Sequence, residues 1–406
     1  MMIKIRERVR GKEAFLLFMA VGALAGLATG LHDTVFNNYL NDTFHISEVA
    51  RGALEFPREL PGMLVALISG LLCFLPDTRL GAFAMILAAL GALGLAFFSP
   101  VFGVMAFWMF INSAGGHLYM PVATSVGVSL AEKGAVGKRL GQLQGVNTAA
   151  MLLASLIIWV GFTRLNLSYS NVFALGALAA IGAAVLLFKI KPQRKERAKV
   201  RIFLKKKYTL YYVLNVLFGT RKQVFLTFGP WVLIKIFGQS PATFAALALV
   251  GNVAGVFIKP LIGRAIDRFG ERRVITAESV MLVFVCLGYG FAEKLGLGQH
   301  AVYLVFLCYM MDQWLYAVKM SHSTYLYKIA DTPDDLTPTL AMGVSIDHLF
   351  SMIIPILGGW LWAQAGYEYV FMAAAVVALL NFVAARFIGR EPFRKAELQS
   401  GQELGV

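Results

Sequence analysis

Apolar residues fill this chain in long runs separated by short polar breaks, and we read twelve runs, at 14–40, 51–75, 80–99, 102–130, 141–163, 171–189, 209–236, 243–262, 274–292, 301–328, 340–364 and 369–388. A helix rising about 1.5 Å per residue needs roughly 20 residues to cross a ~30 Å hydrocarbon layer, and the runs have that length. The longer ones imply tilt or helix continuing past the bilayer. Alternation at period two is absent, so no strand is expected. Amphipathic helices that would wrap these runs into a water-soluble core are also lacking. The expected class is an all-α membrane protein of about twelve transmembrane helices.

The longest polar stretch lies between Lys189 and Lys207, with six runs before it and six after. The expected organisation is a cytoplasmic N-terminal segment 1–13, a six-helix bundle 14–189, a basic linker 190–208, a second bundle 209–388 and a cytoplasmic tail 389–406. Two such halves suggest pseudosymmetric repeats.

Charge changes the picture in one respect. Of the 37 Lys and Arg residues, 28 fall on one side when sides are alternated along the runs, and Arg164, Lys235 and Lys294 on the other. The larger set includes Arg79, Lys133, Lys138, Arg139, Arg264, Arg268, Lys328 and Arg386. The positive-inside rule then places both termini in the cytoplasm. A formal charge of +14 is explained by topology and by contact with membrane lipids, without nucleic acid. The chain's compactness suggests a bacterial inner membrane. Cys73, Cys286 and Cys308 sit inside apolar runs at unrelated spacings, which gives neither a disulfide framework nor a metal pattern. The first run is too long for a signal-peptide core and reads as a retained span.

After the eighth run comes Gly263-Arg264-Ala265-Ile266-Asp267-Arg268-Phe269-Gly270-Glu271-Arg272-Arg273. This resembles the G-x-x-x-D-R-x-G-x-R-R signature of the major facilitator superfamily in its second-half copy, with Glu271 where a basic residue is usual. The first-half counterpart, Pro76 to Gly81, keeps an acid, a base and a glycine at altered spacing. The antiporter signature of the fifth span is missing; Gly141 and Gly145 there suggest close packing. The resemblance implies two six-helix bundles around a central cavity lined by spans 1, 4, 7 and 10, rocking between inward-open and outward-open states. It also implies a part in conformational gating for Gly263, Asp267, Arg268, Gly270 and Arg272.

Ionisable groups inside spans cost roughly 2.5–3.5 kcal/mol each on insertion scales, so those retained point to function. One group is His32 and Asp33 in the first run with Glu55, Arg58 and Glu59 in the second, and Asn37 and Asn38 close by. The other is Arg221 and Lys222 in the seventh, Asp312 and Lys319 in the tenth, and Asp347 and His348 in the eleventh. Proton coupling is expected of Asp33, His32, Glu55, Glu59, Asp347 and His348. Substrate contact is expected of Arg221, Lys222, Asp312, Lys319, Asn37 and Tyr316. Counted this way, three bases face two acids in the second half, and the excess base suggests a small organic anion as substrate. The alternative is that Arg221 and Lys222 pair with Asp312 and Asp347 to hold the bundle together, and that Arg58 and Glu59 form a structural pair. His117 reads as a core histidine and Lys259 as an interface residue. Pro61, Pro121, Pro230 and Pro355 are candidate kinks.

No phosphate-binding glycine loop, metal-ligand pair or assembled nucleophile is present in the sequence, so neither enzyme activity nor a cofactor or metal is expected. The expected function is secondary active transport of a small-molecule substrate, coupled to protons or another ion. Two rivals stand beside it: a proton-driven exporter of lipophilic compounds, and a non-transporting sensor or scaffold on the same fold.

Overall fold

The structure, a computed structural model, describes residues 2–72, 74–131, 136–191 and 204–389. Cys73, Lys133, linker residues 192–203 and tail residues 390–406 lie outside the described residues. Among those described there is no strand. The α-helices are α1 (Met2–Phe44), α2 (Glu48–Ala53), α3 (Glu55–Leu71), α4 (Asp77–Phe97), α5 (Phe102–Ser129), α6 (Val136–Arg164) and α7 (Tyr169–Lys189). After the linker come α8 (Thr209–Lys235), α9 (Pro241–Phe269), α10 (Glu271–Phe291), α11 (Ala301–Leu315), α12 (Met320–Ile329), α13 (Pro333–Ala365) and α14 (Tyr367–Ala385).

Every apolar run of the sequence falls on helix. Ten coincide with one helix each; run 51–75 is divided between α2 and α3, and run 301–328 between α11 and α12. The first division has a cause in the chain: Pro57 lacks an N–H and its ring would clash with the carbonyl of Ala53, so α2 stops there. In the second, a 3₁₀ turn over Tyr316–Lys319 tightens the backbone between the two segments. Nine helical stretches among the described residues are long and apolar enough to cross a membrane. α3, α5 and α8 are not in that set: α3 has 17 residues, while Asn112 and His117 interrupt α5 and Arg221 and Lys222 interrupt α8.

The chain forms two compact units. The first comprises residues up to Ser47, Phe56–Val200 and Gly238–Asn252. Its core packs Phe18 and Val21 of α1, Leu80 and Ala84 of α4, Leu118 and Val122 of α5, and Ala183 and Leu187 of α7. The buried Asn38 amide donates to the Gln239 carbonyl at 2.8 Å, tying α1 to the turn before α9. The second unit comprises Glu48–Glu55, Arg201–Phe237 and Val253 onward. Its core joins Tyr208 with Tyr211 and Leu214 of α8, Ile275 of α10, Leu326 of α12 and Ala385 of α14. Gly270, at φ 80, makes the sharp joint between α9 and α10, a backbone shape that a side chain would strain.

Large apolar side chains point outward on both units, among them Phe97, Leu178 and Phe188 in the first and Phe257, Phe284 and Leu379 in the second. In water such exposure would be costly; in lipid it is the ordinary outer face of a helix bundle.

Candidate functional site

Arg221 and Lys222 are neighbours on α8 and so point about 100° apart. They accordingly reach different partners. The Arg221 guanidinium lies 2.8 Å from Asp312 Oδ1 on α11 and 3.9 Å from Glu278 Oε1 on α10. Arg221 is 3% exposed and Glu278 1%. Although charges meet, no acceptor among the described residues is aligned to hydrogen-bond any of the three guanidinium nitrogens. The Lys222 ammonium sits 2.9 Å from both carboxylate oxygens of Asp347 on α13. Lys319 approaches the same carboxylate at 3.4 Å, and its side chain is 34% exposed. Phe218 underlies both centres, its ring 5.5 Å from Arg221 and 5.4 Å from Lys319, and Tyr316 packs on that ring at 5.3 Å.

The pairing expected as the structural alternative is therefore the one observed, Arg221 with Asp312 and Lys222 with Asp347. The expected excess of bases over acids is absent from this set. Glu278 belongs to the same set, so three acids face three bases. The charges are nevertheless divided unevenly: one base serves two acids around Arg221, and two bases share one acid at Asp347. His322 was also missed; it is buried on α12 with its ring 5.3 Å from that of Phe218. His348 follows Asp347 on α13 and is half-buried.

Glu55 lies elsewhere in the second unit. It is wholly buried, ion-paired with Arg51 at 2.6 Å and accepting a hydrogen bond from Gln223 of α8 at 2.8 Å. Its counter-charge, Arg51, stands four residues earlier in the chain.

In the first unit, α1, α3, α4, α5, α6 and α7 enclose a cavity of about 670 Å³. His32 and Asp33 reach it from α1, Arg58 from α3, Asn112 and His117 from α5, and Gln144 and Asn147 from α6. His32 Nδ1 and Asp33 Oδ1 are 3.0 Å apart, and the His32 ring stacks on Phe36. Arg58 pairs with Glu59 at 3.2 Å. His117, expected as a core residue, is half-buried on the cavity wall, its Nδ1 3.0 Å from the Ser113 hydroxyl. Asn37 does not line this cavity.

The motif residues cluster at the α9–α10 joint. Gly263 is half-buried, Asp267 and Arg268 are exposed, Gly270 bends the chain, and Arg272 stands in the first turn of α10. Glu271, the departure from the motif, is buried and pairs with Lys328 of α12 at 2.8 Å.

The profile of the Major Facilitator Superfamily matches residues 18–318 and 212–405. No curated protein matches the chain significantly. Among solved structures, the nucleoside transporter NupG superposes with a TM-score of 0.73 at 14% identity, over 93% of this chain and 100% of that one. The xylose transporter XylE from E. coli in an inward open conformation gives 0.70 at 15%, over 96% and 99%. A bacterial homologue of the human lysosomal transporter Spinster gives 0.70 at 14%, over 93% and 97%. With both halves of the chain matched by the family profile, the chain belongs to the major facilitator superfamily.

Proposed function

We propose that this protein is a twelve-span secondary active transporter that moves a small organic anion by alternating access, driven by protons. The observation that carries this reading is the uneven division of the six charges in the second unit. At Asp347 two ammonium groups share one carboxylate, and the partly exposed Lys319 offers the surplus positive charge to a substrate carboxylate or phosphate. Around Arg221 one guanidinium faces two buried carboxylates, Asp312 and Glu278, and a proton on either balances the centre. We assign proton coupling also to Asp33 with His32, to Glu59, and to Asp347 with His348. Glu55, already held by Arg51 and Gln223, suits a structural role better. Gly270 would serve as the hinge of the gating motif, with Asp267, Arg268 and Arg272 beside it. The split of basic residues supports an inner membrane location with both termini cytoplasmic. A fold shared with a D-xylose-proton symporter is consistent with proton coupling.

A second reading has its own observation. The first-unit cavity presents the amides of Asn112, Gln144 and Asn147, groups suited to hydroxyls, and two solved neighbours transport a nucleoside and xylose. A neutral polyhydroxylated solute would fit that wall.

The test is uptake into proteoliposomes under an imposed pH gradient, with small carboxylates, phosphate esters, nucleosides, pentoses and lipophilic cations. Gradient-driven anion flux that falls in Lys319→Gln supports the leading reading. Flux of neutral sugars alone selects the second. Flux of lipophilic cations would make the protein an exporter, and binding without flux a sensor.

A further inference from the structure

A second cavity, of about 580 Å³, lies in the second unit beside the α9–α10 joint. Arg272, Arg273, Lys328 and Arg386 line it, with Glu271 as its acid. Glu271 is engaged by Lys328 through both carboxylate oxygens, at 2.8 and 2.9 Å. Among the described residues no carboxylate lies within ion-pairing distance of Arg272, Arg273 or Arg386. Three guanidinium groups thus converge on one cavity with a surplus of positive charge, and Arg386 is further fixed over the Phe382 ring at 4.7 Å. The first turn of α10, whose N–H groups lack intrahelical acceptors, forms part of the same wall.

The apolar surroundings narrow the ligand. Val280 forms part of the cavity wall, and it begins an outward ridge along α10 that continues through Phe284 and Leu287. Phe284 is 66% exposed. A soluble anion would use the arginines and ignore this ridge. An amphipathic anion uses both.

We propose that this cavity binds the phosphate headgroup of an anionic phospholipid, with an acyl chain lying along Val280, Phe284 and Leu287. Arginines hold phosphate oxygens through paired N–H donors, and each basic group near a membrane surface adds attraction to anionic lipid. The inference rests on the reading of the chain as membrane-spanning and requires no transport activity.

The experiment is native mass spectrometry of the detergent-purified chain titrated with phosphatidylglycerol or phosphatidylcholine. One phosphatidylglycerol should be retained in preference to phosphatidylcholine. The double variant Arg272→Gln/Arg386→Gln should weaken retention about 30-fold. Arg272→Lys/Arg386→Lys should keep most of it, and Lys189→Gln, at the basic end of α7, should change nothing. Equal retention of both lipids, or an unaffected double glutamine variant, overturns the proposal. So does displacement of the lipid by inorganic phosphate, a measurement on the unmodified chain that identifies the source as a soluble anion.

Discussion

Glu278 of α10 stands 3.9 Å from Arg221 of α8, outside hydrogen-bond range yet close enough for the two charges to feel each other in a dry interior. Asp312 stands nearer, at 2.8 Å. The guanidinium cannot satisfy both carboxylates, and Glu278 receives only a long contact of 3.5 Å from the Asn381 amide. Glu278 is thus the buried carboxylate of this centre that lacks a close cation, the member placed to carry a proton without breaking the 2.8 Å pair.

Glu278→Gln should therefore separate movement from coupling. Uptake driven by a pH gradient is expected to collapse, while exchange of labelled for unlabelled substrate continues at near wild-type rate. Both assays run on the same proteoliposomes. Gradient-driven uptake that survives the substitution would place the proton on another group, with Asp33 the next to test.

Arg221→Ala leaves two carboxylates buried without a counter-charge and should cost about 3–5 kcal/mol of stability. Removing Asp312 as well relieves part of that cost. A double-mutant cycle on thermal unfolding in detergent should give a coupling energy above about 1 kcal/mol. Additive effects would show that the 2.8 Å pair contributes no net attraction.

The segments that become helices were legible in the sequence because run length alone reports on them, and the motif from Gly263 to Arg273 carried the family. Partners were less legible. Glu278 lies five residues after Arg273, close to the basic end of its run, where a charged residue looks like an interface anchor. Its place beside Arg221 comes from tertiary packing, with α10 and α8 both lying against α14, which a linear pattern does not encode. The same holds for Gln223, whose role appears only once Glu55 is brought across from a segment 168 positions away. Arg51 was nearer to hand: it stands at i−4 from Glu55, a spacing that favours pairing even across the break at Leu54.

Outside the spanning segments, Asp335 at the start of α13 accepts from Lys205 at 2.7 Å and from the Tyr208 hydroxyl at 2.5 Å. The Lys205 bond, and then the Tyr208 bond, hold its carboxyl below the ordinary 3.8. Because the folded value is depressed, this clasp stabilises fully above the ordinary value and is lost as pH falls through the folded one. Thermal unfolding should show Asp335→Asn less stable than the parent by a constant margin near neutrality. That margin should close only in strong acid. A margin that closed between pH 6 and 8 would point to a histidine and not to Asp335.

The crossing of α2 and α13 offers a test of packing within the second unit. A Cβ built on Gly52 would lie 2.0 Å from the Pro355 carbonyl oxygen, and one on Gly359 2.5 Å from that of Glu48. Both obstacles are backbone, so neither can swing aside. Gly52→Ala should then push α2 off α13 and cost about 1–3 kcal/mol. Arg51, adjacent to the substitution, would lose its alignment with Glu55, and the Gln223 bond would follow. Gly116 supplies the contrast: it borders the first-unit cavity and a Cβ there meets nothing within 4 Å. Gly116→Ala should leave stability unchanged or raise it by up to about 1 kcal/mol, since alanine is the better helix former. The two unfolding temperatures, measured together in one detergent, separate close helix contact from a general intolerance of change at glycine. Equal behaviour of the two variants would mean that α2 does not depend on contact with Pro355, and the anchoring of Glu55 would need another explanation.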